Sequence, residues 1–195
     1  PLDCALARRS PTIDTSRMPL SGYTDHMKIV LIGSPILRKK AQPIRKVTSE
    51  LVHLAESMEG LMKPVGVGLA APQVGLSQAF FIYDVGEGLH IVVNPQILDR
   101  KGSATDEEGC LSIPGVYAPV DRATEITLSY LDQRGKRRIH KYVDFEARVI
   151  QHEFDHLQGM LFVDRITDPS TISVQEGSPV GAALTQTIRE KGQQL

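Results

Sequence analysis

The sequence QHEFDH at residues 151–156 places two histidines four positions apart, with a glutamate directly after the first. Positions four apart share one face of an α-helix, so His152 and His156 can point their imidazoles at a common metal ion. Glu153 would then lie beside that ion, where a carboxylate acts as a general base toward activated water. The competing interpretation is a pair of core histidines bonded to backbone carbonyls. The glutamate between two candidate ligands favours the metal site.

The residues around this motif form a helical pattern that begins near Asp144, a good N-cap, and ends near Gly159, a good C-cap. One stripe of the helix holds two apolar side chains and both histidines: Phe145, Val149, His152 and His156. Because the apolar stripe of a helix faces the core, we expect the two histidines to face inward as well.

The rest of the chain predicts an α+β fold. Residues 48–63 carry apolar side chains at helical spacing after a capping Thr48, which predicts an N-terminal amphipathic helix. Four β-rich runs can be recognised, at residues 79–85, 90–98, 124–132 and 136–143. Since helices and strands do not alternate, we expect mostly antiparallel sheets packed around a central metal-binding helix.

Composition narrows the classes of function. The chain has 195 residues, apolar and charged fractions of 41% and 23%, and a net charge of −1. These values fit one globular domain with a core, and they give no reason to expect nucleic acid or a membrane as a partner. The two cysteines, Cys4 and Cys110, form no disulfide framework, which favours a reducing compartment.

We divide the chain into three parts. Residues 1–26 lack periodicity, and we interpret them as a leader derived from cloning or upstream translation, or as a disordered extension. A targeting presequence is the alternative, although its three aspartates argue against it. Residues 27–167 form the expected catalytic domain. Residues 168–195 form a C-terminal tail with a weak helical pattern around residues 180–191.

A catalytic metal site generally needs a third protein ligand. Helix-borne metalloproteases take it downstream, but no histidine follows His156, and Asp164 is not convincingly placed. Upstream, Cys110 lies in EGCLS beside Gly109, which lets the backbone approach closely. A thiolate is a strong ligand for such an ion. Alone, Cys110 would be interpreted as a small buried hydrophobe, but beside an incomplete two-histidine site we expect it to be the third ligand.

The glycine-rich stretch GVGLAAPQ at residues 66–73 is similar to part of a dinucleotide-binding fingerprint. That fingerprint needs a strand before the glycines and a helix after them, and here the order is reversed. We expect instead a backbone that passes close to a substrate or to the metal. Gln73 is then either an ordinary loop residue or a neutral hydrogen-bond donor to an oxyanion.

In this order, GVGLAAPQ, EGCLS and QHEFDH closely resemble the three signature motifs of the peptide deformylase family. The resemblance runs from about residue 28 to residue 166 and includes GSPILRKKAQPI and GMLFVDRI. It implies an enzyme that removes the formyl group from the N-terminal formylmethionine of newly made polypeptides and releases formate. It also implies transient proximity to the ribosome, in the cytoplasm of a bacterium or in an organelle, with no need for nucleic acid or a membrane.

The resemblance also implies one divalent metal ion, with Fe²⁺ as the native ion and zinc, nickel or cobalt as alternatives. Its ligands would be Cys110, His152 and His156. Glu108 would orient groups around these ligands, or it would be a solvated acid in a loop.

The resemblance assigns catalysis and substrate binding to a second set of residues. Glu153 would be the general base and acid. Gln73 and the backbone N–H of Leu111 would hold the formyl oxygen as it gains charge. The substrate backbone and the methionine side chain would lie against four residues: Val67, Gly68, Phe145 and Val149.

Other functions remain open at this point. A helix-borne metallo-endopeptidase would take its third ligand downstream of His156 and would cut internal peptide bonds. A module with a structural metal would close the site with a fourth ligand, Glu108 or Asp155, and would turn over no substrate. An inactive family member is disfavoured because every proposed catalytic position is intact. The position of the third ligand and an open coordination position distinguish these hypotheses.

Overall fold

A computed structural model of the chain describes residues 27–181. The predictions for residues 1–26, and for most of the weak helix at residues 180–191, lie outside the described residues.

The described part of the chain contains two α-helices, eight strands and four short 3-10 helices. The helices are α1, Ser49–Met62, and α2, Asp144–Leu157. The strands, in chain order, are β1 Gly68–Ala70, β2 Phe80–Tyr83, β3 His90–Lys101, β4 Ala104–Cys110, β5 Ile113–Arg122, β6 Glu125–Leu131, β7 Arg137–Val143 and β8 Ser173–Val174. These strands pair antiparallel. The α+β class with antiparallel sheets is therefore as predicted.

The strands form two sheets, one of five strands in the order β1-β2-β3-β6-β7 and one of three in the order β4-β5-β8. Strand β2 is buried on both faces. Phe80 and Ile82 pack in the same cluster as α1, whereas Phe81 and Tyr83 pack in the same cluster as α2. Because successive side chains of a strand alternate between faces, the two helices lie on opposite faces of the five-stranded sheet.

Helix α1 begins at a side-chain cap. The Thr48 hydroxyl accepts a hydrogen bond from the Leu51 N–H at 3.3 Å, as an N-cap residue should. The side chains that α1 buries recur at helical spacing: Leu51, Leu54, Ala55, Met58 and Met62. Glu56 and Ser57, on the other side, are exposed.

Helix α2 differs from the prediction at its start and agrees with it at its end. Val143 occupies the N-cap position without a side-chain hydrogen bond, so Asp144 is the first helical residue and not the cap. The helix ends at Leu157, and Gly159 follows with a φ of 77°. A Cβ on Gly159 would lie 2.7 Å from the backbone of Arg38. Glycine is therefore required there both for the left-handed turn and for the close approach.

Half of the strands are absent from the prediction: β1, β4, β5 and β8. The four predicted runs correspond to β2, β3, β6 and β7. No helix within residues 27–181 combines the length and the apolar character that crossing a membrane requires.

Candidate metal centre

Three side chains converge where helix α2 meets strand β4. Cys110, His152 and His156 each offer one ligand atom, and these three atoms lie within 4.8 Å of one another. Cys110 Sγ lies 3.3 Å from His156 Nε2. Cys110 ends β4 after a register shift beside Gly109, and such an irregularity redirects a side chain from the regular alternation. The structure thus brings together the three ligands that the sequence predicts.

The donor set fits one transition-metal ion. A thiolate and two imidazoles suit iron, zinc and similar ions, whereas magnesium and calcium prefer oxygen ligands. Three protein ligands are also the number that catalytic sites use when they keep a position open.

Glu108 fixes the orientation of one ligand. Its Oε2 lies 2.9 Å from His152 Nδ1, which leaves His152 Nε2 for a metal ion. Glu108 is 6% exposed, so the interpretation as a solvated loop acid is wrong. Burial alone would raise the pKa of Glu108, but hydrogen bonds from Arg122 and His152 outweigh it and hold this pKa well below its usual range.

Glu108 is the centre of a buried charge network. Its two oxygens accept hydrogen bonds from Arg122 Nε and Nη2, each at 2.9 Å, and from Arg148 Nη1 at 2.8 Å. Arg122 also pairs with Asp155, which in turn pairs with Arg165. These pairings engage the carboxylates of both Glu108 and Asp155. The contacts therefore do not support either residue as a fourth metal ligand.

Two arginines of this network, Arg122 and Arg148, lie outside the family's motifs, and Arg165 lies within GMLFVDRI, where the sequence assigns it no role. One signal is available for Arg148, which lies four residues before His152 and therefore on the same side of α2. Arg122 and Arg165 are brought in from other elements, and only the fold reveals them.

Glu153 is buried beside the three ligands, with 3% of its surface exposed. A Cβ on Gly68 would lie 2.3 Å from Glu153 Oε1, so the absence of a side chain at Gly68 makes room for this carboxyl. Among the described residues, Glu153 Oε2 is buried without a hydrogen-bond partner. Burial is the main cause that raises the pKa of Glu153 to about 7. A carboxyl with such a pKa can both take and return a proton near neutral pH.

A hydrogen bond from the backbone fixes the orientation of the Gln73 side-chain amide. It is 1% exposed, and its Oε1 accepts the Ala70 N–H at 2.8 Å. Its Nε2 therefore points the other way, toward Cys110 Sγ at 3.4 Å and Ser112 Oγ at 3.3 Å. Gln73 is therefore buried with its NH₂ group directed at Cys110, a placement that fits the predicted hydrogen-bond donor better than an ordinary loop residue.

A cleft of about 570 Å³ contains most of the predicted site residues. The predicted residues in its lining are Val67, Gly68, Gln73, Cys110, Leu111, Phe145, Val149, His152 and Glu153. His156 is absent from the lining and is buried below it. Phe145 is 55% exposed, so the prediction that its whole stripe faces the core is wrong at that position. Phe145 lies in the first turn of α2, at the cleft.

Comparison with known proteins shows which family this chain resembles. The profile of the polypeptide deformylase family matches residues 26–171. A peptide deformylase of Carboxydothermus hydrogenoformans is 45% identical over 139 residues, which cover 71% of this chain and 91% of the relative.

Solved structures agree with this assignment. The peptide deformylase of Thermus thermophilus superimposes with a TM-score of 0.73 at 38% identity, covering 87% of this chain and 98% of that one. A peptide deformylase of Acinetobacter baumannii bound to Met-Ala-Ser superimposes with a TM-score of 0.68 at 34% identity, covering 72% and 98%. The chain therefore belongs to the peptide deformylase family, metal-dependent hydrolases that remove the N-formyl group from newly made polypeptides.

Proposed function

We propose that this chain hydrolyses the N-formyl group of formylmethionyl polypeptides in the cleft beside Cys110, His152 and His156. The observation that supports this most directly is the convergence of one thiolate, two imidazoles and a buried carboxyl at one cleft. When bound there, a divalent ion would supply Lewis acidity and water activation. Fe²⁺ is the native ion in this proposal, with zinc, nickel or cobalt as substitutes, because a thiolate with two imidazoles suits all of them.

Glu153 carries the proton in this proposal. Its carboxyl takes a proton as water attacks the formyl carbon, and it returns a proton to the departing amine nitrogen. Two observations support this role: the raised pKa of Glu153, and the buried Oε2 that has no partner among the described residues.

Gln73 and Leu111 would stabilise the charge that develops on the formyl oxygen. Gln73 Nε2 already points toward Cys110, and Leu111 follows Cys110 in the turn between β4 and β5. The Gln73 amide and the Leu111 N–H would donate to the oxyanion, and losing one such donor costs roughly 10²–10³ in turnover.

The substrate would lie against Val67, Gly68, Phe145 and Val149, all of which line the cleft. Val149 is buried, whereas Phe145 and Val67 are partly open to solvent. Apolar side chains of this kind suit the methionine side chain. The Met-Ala-Ser peptide bound to the Acinetobacter baumannii relative supports a peptide of this type as ligand.

The same proposal assigns a role to each helix and to residues 27–167. Helix α2 is the central metal-binding helix, and α1 is the amphipathic N-terminal helix that covers the other face of the five-stranded sheet. Residues 27–167 are the catalytic domain, which the family match at residues 26–171 supports.

We also propose where the protein acts. A formylmethionyl substrate implies transient proximity to the ribosome. The two relatives reported above from Carboxydothermus hydrogenoformans and Acinetobacter baumannii are bacterial, which supports a bacterial cytoplasm, with an organelle as the alternative.

The endopeptidase hypothesis has less support from the contacts. It requires a ligand downstream of His156, but the carboxylate of Asp164 pairs with Arg38 and accepts the Leu161 N–H. The third donor near the two histidines is Cys110, which lies upstream.

Replacement of the proton carrier tests the proposal. Glu153→Gln keeps the size of the side chain but cannot accept the proton, so formate release from formyl-Met-Ala-Ser should fall by roughly 10²–10⁴. Metal content should stay at the wild-type level, because Glu153 is not a ligand. Glu56→Gln, on the exposed side of α1, is the matched control and should keep the wild-type rate. Wild-type turnover by metal-loaded Glu153→Gln would reject the assigned role.

A further inference from the structure

One wall of the cleft is formed by the start of strand β5. Pro114, Gly115, Val116 and Tyr117 all line the cleft close to Cys110. Glycine at position 115 has a φ of 72°, so the chain bends there. Strand β4 pairs with β5 at Ile113 and Tyr117 but not at residues 114–116, so the position of this bend depends on other contacts.

Residues 173–181, which we call the C-terminal strap, pack behind this wall. Strand β8 pairs with β5, with Val174 opposite Val116 and Ser173 opposite Tyr117. The Gln175 N–H then donates to the Gly115 carbonyl at 2.8 Å. These contacts extend the sheet across the bend of the wall.

Ser178 closes the strap onto the same segment. Its hydroxyl donates to the Pro114 carbonyl at 2.7 Å and accepts the Gly181 N–H at 2.9 Å. A Cβ on Gly115 would lie 2.9 Å from the Ser178 Cβ, so the strap and the wall are in direct contact. The hydroxyl of Ser178 thus joins the Pro114 carbonyl of the wall to the Gly181 N–H of the strap.

The strap lies beyond the residues that the family profile matches, which end at residue 171. We propose that the strap is a positioning element of this chain: it holds the wall at residues 114–117 in place and thereby sets the affinity for the substrate peptide. This inference rests on the proposed function. Gln175, through its backbone N–H, and Ser178 are positioning residues, because neither lines the cleft.

A pair of substitutions at one position tests the inference in the full-length, metal-loaded enzyme. Gln175→Pro removes the N–H that the Gly115 carbonyl accepts, and Gln175→Ala keeps it. Val174, the preceding residue, is already extended, which is the conformation that a following proline favours. Ser178→Ala is the second variant and removes the hydroxyl without changing the backbone.

The test needs two kinds of measurement, steady-state kinetics and amide hydrogen exchange. KM for formyl-Met-Ala-Ser should rise roughly three- to tenfold in Gln175→Pro and Ser178→Ala, since the wall must then be ordered on binding. The value of kcat should stay within about twofold of the wild type, with unchanged metal content, because the ligands are not displaced. Amide hydrogen exchange at residues 115–117 should accelerate in both variants and not in Gln175→Ala.

An unchanged KM in Ser178→Ala and Gln175→Pro would overturn the inference, and so would a raised KM without faster exchange of the wall. A fall of kcat together with metal loss would also overturn it, because that pattern indicates general damage to the site. If Gln175→Pro fails to fold, Ser178→Ala decides. A wild-type enzyme that releases no formate would reject the proposed function instead, and the exchange comparison would still decide whether the strap orders the wall.

Discussion

At the scale of single residues, the Glu153 carboxyl can take its position because Gly68 has no Cβ. The carboxyl of Glu153 occupies the space that a Cβ on Gly68 would need. Burial in that space is also the main cause that raises the pKa of Glu153 to about 7. Gly68 therefore contributes to the chemistry through its small size, and not through a contact of its own.

Gly68→Ala should displace the Glu153 carboxyl and leave the three ligands in place. A shift of about 1 Å in a catalytic group can cost about 10² in rate, so we expect kcat for formate release to fall by roughly that factor. Metal content, measured by elemental analysis, should be unchanged. Gly60→Ala is the matched control: nothing lies within 4 Å of its new Cβ, and it should keep the wild-type rate. Equal kcat values in the two variants would contradict this account of Gly68.

At the scale of elements, the buried charge network joins β4, β5 and α2. Glu108 comes from β4, Arg122 from the end of β5, and Arg148 with Asp155 from α2. The network thus connects three elements next to the His152 ring, which contacts Glu108. Removing one charged side chain from a buried network of this kind is strongly destabilising, because its former partners stay buried without an opposite charge.

Glu108→Gln should damage both stability and metal binding. Removing one partner from a buried ion pair costs about 3–5 kcal/mol, which urea unfolding of the metal-free protein would measure. Loss of the group that orients a metal-binding histidine typically lowers metal affinity 10–100-fold, which chelator competition would measure. Glu87→Gln, in an exposed loop, is the control. A loss of stability below about 1 kcal/mol would show that the network is not needed.

The hairpin between β6 and β7 should give a pH-dependent contribution to stability. Partial burial raises the pKa of Asp132, but hydrogen bonds from Arg138 and from the backbone N–H groups of Lys136 and Arg134 outweigh it. The pKa of Asp132 therefore lies below its usual value of 3.8. A lowered pKa stabilises the fold above 3.8, and this contribution is lost as the pH falls through the folded-state pKa.

Asp132→Asn should accordingly lower Tm at pH 7 and have a smaller effect as the pH falls below 3.8. Thermal unfolding followed by circular dichroism at several pH values would measure this difference. Asp106→Asn, on an exposed strand residue, serves as control. An Asp132→Asn effect that stays constant from neutral to acidic pH would contradict the assigned pKa shift.

Sequence patterns predict the four strands with runs of β-branched and aromatic residues, and they miss strands that are short, acidic or broken by proline and glycine. Strand β4, ATDEEGC, has four exposed residues in a row and no apolar alternation. Strand β5 contains Pro114 and Pro119, which normally argue against a strand. It tolerates Pro119 because β8 pairs with β5 only at Val116 and Tyr117 and leaves an edge beyond them.

The grouping of the three candidate ligands could be predicted because chemistry constrains their type and spacing. His152 and His156 follow from one helical turn, and Cys110 from the need for a third ligand. The partners of Glu108 could not be predicted in this way. Arg122 and Arg148 lie 14 and 40 residues from Glu108 in the sequence, and no local pattern links residues at such separations.

At the scale of the whole molecule, the N-terminal residues 27–42 connect the three motifs. The Val30 N–H donates to the Gln73 carbonyl at 2.7 Å, and the Ile32 N–H donates to the Ser112 carbonyl at 2.9 Å. The Ala41 N–H donates to the Leu157 carbonyl at the end of α2, at 2.8 Å. One segment, which includes a short 3-10 helix at Pro35–Arg38, thus reaches the glycine-rich turn, the cysteine turn and helix α2, and it fixes their relative positions.

The proposed mechanism requires that Cys110, His152 and His156 hold a metal ion that this enzyme uses to remove a formyl group. Formate release from formyl-Met-Ala-Ser by anaerobically purified protein tests it most directly, before chelation, after chelation, and after Fe²⁺ or Ni²⁺ is returned. We predict that release disappears with the metal, returns with it, and never returns in Cys110→Ala, while casein remains uncut throughout. Formate release that persists in the metal-free protein, or cleavage of internal bonds in casein, would contradict the claim.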